Sequence, residues 1–197
     1  GVTRLKGCKH RVMPDRIEAG TYVLASCITK SNLKINDFPV GSLDLFLDKL
    51  RACGNRFEIQ KNSVEVFPSD RPSAIQFTTR PHPGLATDLQ APMMAYLATV
   101  EGVSTVSEGV YENRFLHIAE LNRMGAEIQL EGNTALVNGV SKLSAAPVMA
   151  CDLRAGAAMV LAALVATGTT KISRVYHIDR GYERIESKLN QLGAKIR

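Results

Sequence analysis

The chain has 197 residues, 24 Lys and Arg against 19 Asp and Glu for a net charge of +5, 45% hydrophobic residues and no Trp. That length can bury a sizeable core, and the ordinary composition excludes disordered, collagen-like and low-complexity classes. The charge is modest and basic residues do not cluster with aromatics, so nothing supports nucleic-acid binding. The chain opens Gly1-Val2-Thr3, without an initiator Met, signal sequence or transit-like stretch, and reads as part of a longer protein.

In chain order, Asp15-Arg16-Ile17-Glu18-Ala19 opens an apolar, Ala-rich segment. A β-type run follows at 33–36, and then an amphipathic stretch, LDKLRACG, that ends at Gly54. Alternating runs at 57–59 (FEI) and 64–66 (VEV) read as strands. The same order returns with Asp88-Leu89-Gln90-Ala91, a β-type run at 103–106, AELNRMG ending at Gly125, and alternating runs at 127–130 and 135–137. It returns again with Asp152-Leu153-Arg154-Ala155, a β-type run at 171–175 and SKLNQLG ending at Gly193. The apolar run at 155–166 is too short for a bilayer, which needs about 20 residues.

Three units of about 70 residues therefore repeat, at about 10–75, 76–147 and 148–197, the third truncated soon after its Gly. The first helix of each unit is apolar nearly all round and belongs inside; the second carries one apolar stripe and ends on a C-cap glycine. The fold class is α/β: one domain over 1–197, an inside-out α/β barrel with buried helices and sheets outside, about a pseudo-threefold axis.

If the buried helices run parallel, their N-termini converge and attract anions. Asp15, Asp88 and Asp152 stand at or beside the N-caps. Their recurrence fits capping, because a cap is needed three times and a catalytic base once. Arg114, Arg154 and Arg180 follow short polar loops, and Arg154 falls in the first turn of an apolar helix. It needs either a substrate anion or an internal carboxylate such as Asp152 or Asp179. His82, between prolines, reads as structural. Four scattered cysteines without a CxxC pair read as packed free thiols of a reducing compartment, and no metal-ligand spacing occurs.

Five strings in order carry a resemblance. They are Pro14-Asp15-Arg16-Ile17-Glu18-Ala19-Gly20, His82-Pro83 with Thr87-Asp88-Leu89-Gln90-Ala91, Glu112-Asn113-Arg114-Phe115, Arg123-Met124-Gly125-Ala126, and 176–184 (YHIDRGYER). Together they resemble the enolpyruvyl transferases (1-carboxyvinyltransferases), in the branch acting on UDP-N-acetylglucosamine, over essentially the whole chain. The resemblance implies an inside-out barrel domain and transfer of the enolpyruvyl group of phosphoenolpyruvate to the 3′-hydroxyl of that sugar nucleotide, releasing phosphate. It implies a cytoplasmic enzyme of peptidoglycan synthesis, with no cofactor, metal or membrane partner. Both anionic substrates would lie between this domain and an N-terminal partner domain.

The resemblance also implies roles. Asp88 would be the base on the sugar hydroxyl and contact UDP-N-acetylglucosamine, and Val110 would line that substrate. Asp152 would assist at the reacting carbon, and Arg114, Arg154 and Arg180 would neutralise carboxylate and phosphate. The family's mobile loop with its catalytic Cys or Asp, and its Lys-Asn pair for phosphoenolpyruvate, have no counterpart here. None of the four cysteines is therefore carried over as an acid, and this chain alone is expected to be inactive. Two other readings are a non-catalytic anion- or sugar-nucleotide-binding module of the same fold and a 5-enolpyruvylshikimate-3-phosphate synthase-like transferase.

Overall fold

The computed structural model describes residues 1–197. Residues 1–15 form no helix or strand, and α1 (Arg16–Thr29) then begins where the Asp15 carboxylate accepts the Ile17 and Glu18 N–H groups at 2.7 and 3.3 Å. There follow β1 (Leu33–Asn36), α2 (Asp44–Ala52), β2 (Arg56–Gln60) and β3 (Ser63–Phe67). Next come β4 (Gln76–Thr78), a 3-10 turn (Thr87–Leu89) leading into α3 (Gln90–Leu97), β5 (Val103–Ser107), α4 (His117–Arg123), β6 (Glu127–Glu131) and β7 (Thr134–Asn138). The chain closes with β8 (Pro147–Met149), α5 (Leu153–Val165), β9 (Lys171–Ser173), α6 (Tyr176–Asp179) and α7 (Ile185–Gln191).

The strands form three separate sheets. One is antiparallel in the order β1–β3–β2; a second runs β4–β5–β7–β6, parallel only between β4 and β5; the third is the parallel pair β8–β9. No sheet closes on itself, so the sheets form no closed barrel. Ladder hydrogen bonds stop at the edge strands of each sheet, and packed helices connect them instead. The architecture is a mixed α/β fold.

Helices α1, α3 and α5 pack on one another in the interior. Every residue of α3 is buried, as are 155–162 of α5. Where all sides are enclosed, as along α3 and 155–162 of α5, no face meets water and the sequence shows no helical stripe. Small residues permit the close approach: a Cβ on Gly20 of α1 would sit 2.9 Å from the Leu89 methyls at the start of α3, and one on Gly156 of α5 would sit 2.5 Å from Cγ1 of Ile178 on α6. The outer helices end as their glycines require. Gly54, Gly125 and Gly193 have φ of +100°, +88° and +101°. The next N–H in each case reaches back into the last turn, from Asn55 to Leu50, Ala126 to Leu121 and Ala194 to Leu189, at 3.1, 3.1 and 3.0 Å.

Gly139 holds a tighter crossing after β7. A Cβ there would land on the Val100 carbonyl oxygen. Backbone atoms cannot swing aside as a side chain can, so Gly139→Ala is expected to lose about 2 kcal/mol or more. Thermal unfolding beside the parent protein checks this, and an unchanged midpoint would refute it. No helix is long and apolar enough to cross a membrane.

Candidate active site

The N-terminal ends of α3 and α5 lie side by side, and the site is built there. Asp152 caps α5, accepting the N–H groups of Arg154 and Ala155 at 2.7 and 2.8 Å. Asp88 does not do the same for α3. It sits inside the 3-10 turn, and no side-chain cap is formed on that turn or on α3. Asp88 is free of the capping duty its position suggested because the tighter turn places it beside two arginines.

Arg114 reaches Asp88 Oδ1 from the segment after β5 through Nη2 at 2.7 Å, and Arg154 reaches Oδ2 from the first turn of α5 through Nη2 at 3.1 Å. The internal partner of Arg154 is thus Asp88, and neither Asp152 nor Asp179. Burial works to raise the Asp88 carboxyl, but the charge of Arg154 and the hydrogen bond and charge of Arg114 outweigh it and hold the group below its usual range.

Each arginine is also backed by an aromatic ring. The Arg114 guanidinium lies 5.0 Å from the Tyr111 ring centroid, and that of Arg154 lies 5.9 Å from Tyr182. Tyr182 is buried, with its hydroxyl 2.9 Å from Oγ1 of Thr21 on α1, so the third interior helix also abuts this end. Arg154 is held firmly yet incompletely satisfied: its side chain is 15% exposed, and Nη1 is buried without a partner.

The cleft above has a volume of about 380 Å³ and is lined by Asp88, Tyr111, Glu112, Asn113, Arg114, Leu116 and Asp152. Three carboxylates, those of Asp88, Glu112 and Asp152, and the Arg114 guanidinium therefore line one space, with Arg154 joined to it through Asp88. Such a set can bind an anion and remove a proton from a neighbouring hydroxyl. His117 is buried beside it with Nε2 3.2 Å from the Met94 sulfur. Burial drives its pKa down to about 4, against the pull of Asp152 and with the help of Arg114, so the ring is a neutral spacer at pH 7.

The fold thus brings together Asp88, Asp152, Arg114 and Arg154. Val110 is half-buried on the segment leading to Arg114 but does not line this cleft, and its N–H is already given to Glu108 at 2.8 Å. Only its carbonyl and side chain remain for a ligand. Arg180 is exposed directly after α6, with no ion pair, outside the cleft. Sequence reasoning overlooked Thr87, Glu108 and Tyr111 as members of the network. For Glu108 a signal existed: the alternation through Ser104 and Val106 continues to position 108 and puts a carboxylate on the buried face.

Residues 1–189 match the family described as EPSP synthase (3-phosphoshikimate 1-carboxyvinyltransferase). The chain belongs to the EPSP synthase family. Among curated members of the family it is 52% identical over 197 residues to the UDP-N-acetylglucosamine 1-carboxyvinyltransferase of Parasynechococcus marenigrum, covering all of this chain and 45% of that protein. It is equally 52% identical over 196 residues to the enzyme of the same name from Trichlorobacter lovleyi, covering 47% of it. The chain therefore spans about half the length of the curated relatives it matches.

Among solved structures of EPSP synthase-family proteins, the enolpyruvyl transferase NikO from Streptomyces tendae matches with a TM-score of 0.86 and 30% identity, over 94% of this chain and 44% of that one. EPSP synthase from Acinetobacter baumannii shares the fold at a TM-score of 0.71 and 18% identity, over 93% of this chain and 43% of that one.

Proposed function

We propose that this chain supplies one side of the active site of an enzyme that transfers the enolpyruvyl group of phosphoenolpyruvate to the 3′-hydroxyl of UDP-N-acetylglucosamine, releasing phosphate. In that reading it serves the first committed step of peptidoglycan synthesis in the cytoplasm, and an N-terminal domain supplies the other side. The observation that carries the reading is the Asp88 carboxylate held between Arg114 and Arg154 on a cleft shared with Asp152. The relatives at 52% identity, both named for that sugar nucleotide, support the acceptor.

The chemistry follows from these groups. Asp88 takes the proton of the sugar hydroxyl as its oxygen bonds to C2 of phosphoenolpyruvate, while C3 gains a proton from a group outside this set. Loss of a C3 proton and of phosphate then restores the double bond in the product. Asp152 faces the carbon that passes through the tetrahedral stage. Arg114 and Arg154 exchange the Asp88 carboxylate for the carboxylate or phosphate of the substrate. Arg180, exposed and unpaired, can swing to the same anion.

The test is phosphate release from phosphoenolpyruvate with UDP-N-acetylglucosamine, run on the full-length protein and on this chain alone. Turnover only by the full-length protein is expected. Turnover only with shikimate 3-phosphate would move the acceptor to that of the family's namesake. Binding without turnover by the full-length protein would make the domain a non-catalytic module. In the same assay Arg180→Ala is expected to raise the KM for phosphoenolpyruvate roughly tenfold with little change in stability, because it loses a solvated cation that has no internal partner. A variant that unfolds more easily with wild-type kinetics would show Arg180 to be structural.

A further inference from the structure

Glu108 stands at the end of β5, 3% exposed, and makes no ion pair. A carboxylate this deep must be matched by donors. Oε2 accepts the Thr87 hydroxyl at 2.8 Å, and Oε1 accepts the N–H groups of Val110 and Tyr111 at 2.8 and 3.1 Å. Its own backbone is pinned from both sides by Asn133, whose carbonyl takes the Glu108 N–H at 2.8 Å and whose Nδ2 donates to the Glu108 carbonyl at 3.1 Å. Gly109 donates its N–H to the buried Thr79 hydroxyl at 2.9 Å.

The hydroxyl of Thr87 has one proton, and Glu108 takes it. The oxygen of Thr87 is left as an acceptor, and it receives Nη1 of Arg114 at 3.0 Å while Nη2 bonds Asp88 at 2.7 Å. The other oxygen of Glu108 holds the turn that brings the Tyr111 ring to the Arg114 guanidinium. Both oxygens of one buried carboxylate therefore act on the same arginine, one on its edge and one on its face.

We propose that Glu108 is a positioning residue for this site, orienting Arg114 onto Asp88 through the Thr87 hydroxyl and through the Val110–Tyr111 turn. The proposal rests on the transfer reading above. The charged groups around Asp88 are Arg114, from the segment between β5 and α4, and Arg154, from α5, both paired with it, and the Glu112 and Asp152 carboxylates that line the same cleft.

The experiment uses the full-length protein with Glu108→Gln, Thr87→Val and Thr87→Ser. In Glu108→Gln the side-chain carbonyl still serves Val110 and Tyr111, but its amide donates to Thr87 and turns the hydroxyl proton toward Arg114. Thr87→Val keeps the shape and removes the relay; Thr87→Ser restores it. With Arg114 loosened, Asp88 keeps one cation instead of two. The acid limb of kcat/KM is expected to move up by about half to one pH unit, and kcat/KM to fall roughly tenfold, in Glu108→Gln and Thr87→Val.

Thr87→Ser is expected to retain the wild-type profile, and Glu108→Gln combined with Thr87→Val to lose no more than either single variant. Folded Glu108→Gln and Thr87→Val proteins with an unmoved acid limb overturn the proposal, as does Thr87→Ser behaving like Thr87→Val. Should Glu108→Gln not fold, the Thr87 pair decides the same question with Glu108 intact. Two controls keep the readings apart: no phosphate release by the wild-type full-length protein refutes the transfer reading, and full turnover by Asp88→Asn removes Asp88 as the base. Lost turnover in Asp88→Asn with an unmoved limb in Glu108→Gln and Thr87→Val refutes only the role of Glu108.

Discussion

Replacing Asp88 by Asn in the full-length enzyme is expected to lower turnover by about 10²- to 10⁴-fold, the range of a lost general base. Asn keeps one oxygen for an arginine but cannot take a proton. The fold should survive, because the carboxylate is 35% exposed and caps no helix. Circular dichroism and steady-state kinetics separate the two outcomes, and unchanged turnover would remove Asp88 as the base.

The pH profile carries a second signature of the same residue. Arg154 and Arg114 hold the Asp88 carboxyl low in the free protein despite its burial. A depressed folded pKa means that its contribution to stability is present above the ordinary value of about 3.9 and is lost as pH falls through the folded one. Once substrate anions engage the two arginines, the carboxylate loses that support and gains negative neighbours, so it becomes a stronger base. The acid limb of kcat, which reports the bound enzyme, should therefore lie above the limb of kcat/KM, which reports the free one. Coincident limbs would mean that the arginines stay on Asp88 throughout. The same exchange answers how a carboxylate at the positive end of a helix pair can act as a base: its basicity returns as the anion arrives.

Arg154→Ala should be the other large loss, about 10²- to 10³-fold in kcat/KM for phosphoenolpyruvate, an effect on the scale of a buried charge-assisted contact. Its stability cost should be smaller than its burial suggests. The variant leaves Asp88 still paired with Arg114 and removes Nη1, a buried donor that no group in the fold satisfies. Calorimetry and kinetics on the same preparation decide this. A variant that loses stability but keeps its kinetics would make Arg154 an internal counter-ion and no more.

Arg154 also shows how far the sequence could be read. A guanidinium in the first turn of a helix that continues as AGAAMVLAALVA announces that some carboxylate or phosphate must meet it, since no apolar helix tolerates it otherwise. Asp152 and Asp179 were the nearby candidates along the chain. The actual partner, Asp88, lies 66 positions away, and only the packing of α3 against α5 brings it within 3.1 Å. Asp88 itself looked like a third N-cap because it shares the setting of Asp15 and Asp152. Those two do cap their helices. The 3-10 turn at Thr87–Leu89 rotates Asp88 out of that role, and no local pattern separates the cases. Arg114 was singled out from its loop, but Thr87 is joined to it by a hydrogen bond spanning 27 positions and Glu108 to Thr87 by one spanning 21, which residue spacing does not encode.

Length and composition at the outset excluded a disordered chain, and with no Trp the interior of α1, α3 and α5 is largely aliphatic. The sequence by itself left β4, β8, α6 and the 3-10 turn before α3 open, but it determined the interior helices, the amphipathic helices with their C-cap glycines and the longer strands. These are properties of periodicity and local backbone preference, which act over a few residues. Only the tertiary structure decided that the sheets stay separate, that Asp88 bridges two arginines and that a buried glutamate stands behind one of them. Those outcomes depend on which elements meet in space, and a carboxylate takes as its partner whichever cation burial leaves within reach.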